Sequence, residues 1–122
     1  MNTTSIVAVV DDDYRVLESL ESLLESAGYN VYGFASANAL LQSRVWRELH
    51  LLITDIGMSS IDGFALQREL KRERPDVPAI LITGCADLLN RAEAERQSDT
   101  PIFFKPFDAA HLLRVVKAQL GH

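Results

Sequence analysis

The residues Ile6-Val7-Ala8-Val9-Val10 form an unbroken apolar run, and three carboxylates, Asp11-Asp12-Asp13, follow it with no spacer. A Val-rich run of this kind reads as a strand buried on both faces, as in a parallel sheet covered by helices on each side. Carboxylates crowded at the end of such a strand repel one another and raise each other's pKa unless something positive sits among them. A hard divalent cation with oxygen ligands is the usual remedy. Three further apolar runs end in the same manner. Leu51-Leu52-Ile53-Thr54 meets Asp55, Ala79-Ile80-Leu81-Ile82 meets Thr83, and Pro101-Ile102-Phe103-Phe104 meets Lys105. Four strands thus finish on a functional group, and the groups together suit a metal and an anion.

Between the runs the period changes. Val16, Leu17, Leu20, Leu23, Leu24 and Ala27 repeat at helical spacing, with Glu18, Glu21 and Glu25 opposite, which predicts a helix over 14–27 closed by Gly28. A short strand follows at 30–34. Ser36 is placed to cap a helix through Leu41 that fades before Glu48. A third helix runs from Asp62 or Gly63 to Glu73, with Phe64, Leu66 and Leu70 on its apolar side, and Arg74-Pro75-Asp76-Val77-Pro78 ends it. Ala86–Gln97 reads as a fourth helix, polar in its second half. Asp108 caps a last helix whose Leu112, Leu113, Val116 and Leu120 form a stripe ending at Gly121. Five strands alternating with five helices imply right-handed crossovers and a parallel sheet. In such a sheet, ligands collect beyond the carboxyl ends of the strands.

The 122 residues suffice for one domain, and 48% hydrophobic with 24% charged residues is ordinary for a globular chain. A formal charge of −5 argues against direct nucleic-acid binding, which wants a basic face. The single cysteine, Cys85, forms no internal disulfide and fits a reducing cytosol. The N-terminus lacks the basic and apolar regions of a signal peptide. No run approaches the ~20 residues of a membrane span.

The motifs VVDDD, TDIGM-SSIDG, LITG and FFKPF occur in that order, with Gly63 eight residues after Asp55, Thr83 at 28 and Lys105 a further 22 on. In these the chain resembles the CheY-like receiver domain of two-component response regulators, in its FixJ-type branch, over essentially its whole length. The resemblance implies a flavodoxin-like (βα)5 fold with a five-stranded parallel sheet in the order 2-1-3-4-5. It implies one receiver domain over residues 1–122, with no output domain in this chain. It implies that Asp55 is the phosphoacceptor. Asp12 and Asp55 would hold Mg2+ directly, Asp11 through water and Gly57 through its backbone carbonyl. Thr83 and Lys105 would contact the phosphoryl group, helped by the backbone of Gly57 and Gly84, and Thr83 and Ile102 would form the switch. The implied partners are a histidine kinase or histidine phosphotransfer protein and a downstream protein target. A homodimer through the fourth helix, fifth strand and fifth helix is the implied assembly, in a cytoplasmic setting. Phosphoryl transfer asks for an in-line nucleophile and neutralised oxygens and little else, and a lysine serves as a movable point charge.

Taken singly, each residue has a plainer reading: Asp55 as a turn or cap, Asp11 and Asp12 as a solvated turn, Thr83 as a strand-end hydroxyl, Lys105 as a surface lysine. Asp13 is left open between capping the first helix and touching the metal. His50, His111 and His122 stand in no ligand spacing, and Cys85 reads as a small packed residue. Pro106 marks a constrained backbone, where members of the family often have a cis bond. The sequence also departs from the pattern. Ser59 replaces the usual proline, Ser98-Asp99-Thr100 the small-residue turn, and Ile102 the usual aromatic, while Gly57 offers no side chain toward an attacking water. Two other readings follow: an interaction module on the same fold that dispenses with phosphorylation, and a small phosphohydrolase suggested by Asp11-x-Asp13. The second would need its nucleophile on the first strand and a longer chain.

Overall fold

The computed structural model describes residues 5–57, 63–84 and 100–121. Its five strands are β1 (Ile6–Val10), β2 (Asn30–Phe34), β3 (Leu51–Asp55), β4 (Ala79–Thr83) and β5 (Ile102–Phe104). All pair in parallel in the order β2-β1-β3-β4-β5, the expected order. The strand order switches between β1 and β3, at whose ends Asp11 and Asp55 stand.

The alternation of side chains sorts the strand residues into two cores. Val7, Val9, Leu51, Ile53, Ile80, Ile82 and Phe103 face α1 (Tyr14–Ser26) and the C-terminal helix (Ala109–Leu120). Ala8, Val10, Leu52 and Ala79 face α2 (Ala37–Gln42) and α3 (Gly63–Glu73) through Ala37, Leu40, Leu66 and Leu70. Covering both faces is why these strands read as continuous apolar runs rather than alternating ones. A smaller cluster joins Ile56, Leu81 and Ile102.

Local chemistry sets the helix ends. The Asp13, Ser36 and Asp108 carboxylate or hydroxyl oxygens accept from Arg15 N, Ala39 N and Ala110 N, each an otherwise orphaned donor of a first turn. Gly28 and Gly121 stand at φ of 96° and 81°, the left-handed region that glycine enters without a Cβ penalty. Past α2 the chain tightens into a 3-10 turn, Val45–Arg47, where the sequence suggested only a fading helix. There the Arg74 guanidinium donates to three carbonyls, of Trp46, Arg47 and Leu49, at 3.3, 2.6 and 3.2 Å. The helix expected at Ala86–Gln97, the departures at Ser59 and Ser98-Asp99, Cys85 and His122 lie outside the described residues, as does the Phe64 side chain. Among the described residues no helix is long and apolar enough to cross a membrane.

Candidate phosphoacceptor and metal site

Asp11, Asp12, Asp55, Thr83 and Lys105 meet at the carboxyl edge of the sheet because their strands are parallel and end in step. Lys105 Nζ donates to Asp55 Oδ2 at 2.9 Å and to Asp11 Oδ2 at 3.0 Å. The other oxygen of each carboxylate is held by backbone: Gly57 N donates to Asp55 Oδ1 at 2.7 Å and Asp13 N to Asp11 Oδ1 at 2.8 Å. The Lys105 side chain is 22% exposed, against 1% for Asp11 and 10% for Asp55. These ion pairs are therefore shielded from bulk water and salt to a degree that surface pairs are not.

Electrostatics follow from that burial. Desolvation pushes the Asp11 carboxyl up; the Asp13 amide and Lys105 offset only part of it, and the Asp55 charge adds to it. Burial pulls Lys105 down, but its hydrogen bonds and charge attraction to Asp55 and Asp11 outweigh this and leave it raised. The crowding read from the sequence is thus present at Asp11, and the positive group among the acids is Lys105.

The acids also fit a metal. One oxygen from each of Asp11, Asp12 and Asp55 lies within 4.8 Å of the others, and Asp12 is exposed while its neighbours are buried. An all-oxygen set with a solvent-facing member suits a hard cation that keeps several waters. Asp13 is turned away from this role: its side chain caps α1. Thr83 is fully buried, and its carbonyl accepts from Lys105 N at 2.8 Å, so strand and lysine are fixed together. Gly84 lies beneath the Lys105 stem, where an added Cβ would be 3.6 Å from Lys105 Cδ. The Lys105–Pro106 bond is cis. Ile102 is apart from the polar groups, half-buried against Ile56 and Leu81. In register the partner of Thr83 is Phe104. His50 Nδ1 accepts from Ile6 N at 2.9 Å and His111 lies against Phe103, both structural positions. The sequence reading passed over a groove beside the site, between α1 and Pro106-Phe107. Its signal was the width of the α1 stripe, since Val16 and Leu23 are only partly buried.

This fold and this edge define a receiver domain. The chain belongs to the response regulator receiver domain family, which it matches over residues 7–117. Among its relatives are the transcriptional regulatory protein FixJ of Azorhizobium caulinodans, 37% identical over 94% of this chain and 54% of that protein, and the response regulator protein TodT of Pseudomonas putida, 34% identical over 95% of this chain and 51% of that one. The chain spans about half the length of these relatives. The CheY-like receiver domain of Methanospirillum hungatei superposes with a TM-score of 0.83 at 28% identity, covering 97% of this chain and 94% of that one.

Proposed function

We propose that Asp55 is the phosphoacceptor of this receiver, taking a phosphoryl group from a histidine kinase or histidine phosphotransfer protein. The observation that carries this reading is the bridge from Lys105 Nζ to both Asp55 and Asp11. It holds a nucleophilic carboxylate beside a cation and beside an acidic triad able to hold Mg2+. An Asp55 carboxylate oxygen attacks phosphorus, forming an acyl phosphate as the bond to the donor's imidazole nitrogen breaks, and that nitrogen leaves with the electron pair. Asp11, Asp12, Asp55 and the Gly57 carbonyl would hold Mg2+, which neutralises phosphoryl oxygens. Lys105 is already within reach of Asp55 and re-pairs with the added group. Thr83 supplies a hydroxyl and the Gly57 and Gly84 backbones line the site. The output passes to a protein partner, in the cytoplasm, and Thr83 with Ile102 forms the switch.

Incubation with Mg2+ and a small phosphodonor, followed by mass spectrometry, tests this. One added phosphoryl group, mapped to Asp55 and absent from Asp55→Asn, is the expected result. An adduct on Asp11 would point to hydrolase-like chemistry instead. No adduct would favour an interaction module independent of phosphorylation.

A further inference from the structure

Thr54, one position before Asp55, carries a hydroxyl that is fully buried. Its register partners are Val10 on β1 and Leu81 on β4, and strand alternation puts it on the face of Leu52, beneath α2 and α3. Among such neighbours a valine of the same shape would pack as well, and a buried hydroxyl costs desolvation unless it is bonded. The bond it makes is to the next residue: Thr54 Oγ1 donates to the Asp55 carbonyl oxygen at 3.1 Å. The amide of the same peptide unit, Ile56 N, donates to Ile82 O at 2.9 Å. Both polar groups of that planar unit are therefore held, one by a β3 side chain and one by β4. The following amide, Gly57 N, donates to Asp55 Oδ1 at 2.7 Å. That bond closes a ring through the Asp55 side chain and the Asp55–Ile56 peptide, so a rotation of the peptide would carry Gly57 N away from Oδ1.

We propose that Thr54 is a positioning residue, whose hydroxyl fixes the Asp55–Ile56 peptide and, through it, the orientation of the Asp55 carboxylate. With Oδ1 kept on Gly57 N, Oδ2 is left facing Lys105 Nζ at 2.9 Å, and the two oxygens keep separate partners. Thr54 acts through the peptide rather than on the phosphoryl group. Hydrogen bonds made from behind a reactive group are worth about 10–100-fold when they are removed, because a displacement of about 1 Å at the reacting atom is enough to slow a reaction. That Thr54 governs phosphoryl transfer rests on the reading of Asp55 as the phosphoacceptor. That it orients the carboxylate does not.

Two substitutions that separate the hydroxyl from the methyl test the proposal. Thr54→Val keeps the shape and removes the hydroxyl, and Thr54→Ser keeps the hydroxyl and removes the methyl. The rate of adduct formation on Asp55 is followed by mass spectrometry with Mg2+ and acetyl phosphate in excess. The Gly57 amide resonance is read in the metal-free protein. Thr54→Val should unfold cooperatively in urea yet react about tenfold more slowly than the natural chain, or worse, with its Gly57 amide displaced. Thr54→Ser should react at close to the natural rate with the Gly57 amide in place, even where it is the less stable of the two. A residue that served only packing would give the reverse order. A natural rate or an unmoved Gly57 amide in Thr54→Val would overturn the proposal, as would a loss in Thr54→Ser equal to that in Thr54→Val. So would a Thr54 hydroxyl proton in the natural chain that exchanges with water too fast to be seen, a measurement that needs no variant. A natural chain that takes up no phosphoryl group would end the phosphoacceptor reading alone; the Gly57 amide and the hydroxyl proton would still decide whether Thr54 orients Asp55.

Discussion

At the scale of single residues, Lys105 and Asp11 decide how the site behaves before any ligand arrives. Replacing Lys105 with methionine leaves two shielded carboxylates without their cation, and should lower the stability of the metal-free protein at neutral pH by about 1–3 kcal/mol. Urea unfolding with and without Mg2+ would show it, with the deficit shrinking when Mg2+ is present. Asp11 sets a pH dependence. Its folded carboxyl lies above the usual range because of burial, so the native state binds that proton more tightly than the unfolded chain. Its contribution is full below about pH 4, near the unfolded value, and is lost as pH rises through the folded value. Asp11→Asn should remove that part of the decline, seen as a difference between the unfolding curves of the two metal-free proteins. A difference that does not change with pH would refute it.

At the scale of elements, the caps separate fold from chemistry. Asp13 and Asp108 both accept hydrogen bonds at helix starts, and each changed to alanine should cost about 1 kcal/mol in chemical unfolding. Neither should alter Mg2+ affinity by more than a small factor, although Asp13 adjoins the acidic pair. A large loss of affinity in Asp13→Ala would make it a ligand. Three acids in a row do not reveal which one turns back to its own helix, because that depends on the backbone angle at the strand end. Among the described residues, the helix and strand positions were otherwise legible from period and punctuation. Gly28, Ser36, Asp108 and Gly121 mark ends in the sequence and mark them in the fold. The 3-10 turn at Val45–Arg47 was not legible, since it is set by a guanidinium 27 residues further along.

At the scale of the whole molecule, the site was readable because a parallel sheet brings strand ends together whatever their distance in the chain. The pairing of Lys105 with both acids was less so. It requires knowing that β1 and β3 are neighbours while β5 lies two strands from β3. In the switch proposed above, the transmission of a signal would turn on Ile102, which packs against Ile56 and Leu81. As a β-branched residue it is stiff at its first torsion, so it offers little differential contact between two states, and a ligand shifts an equilibrium only by that difference. Beryllofluoride with Mg2+ should therefore move amide resonances near Gly57 and Gly84 and leave those of Ala109–Leu120 almost in place. Ile102→Tyr should enlarge the response; strong shifts along the C-terminal helix of the natural chain would count against this. Arg74 bears on the same question from the opposite edge of the sheet. It stands just past α3 and grips the carbonyls that lead into β3, joining the exit of the segment that carries Asp55 to its entrance. Clasped at its base by three hydrogen bonds, that segment resists sliding as a block. We expect a force acting at Asp55 to tilt it more readily than shift it, as a gate swings on its post.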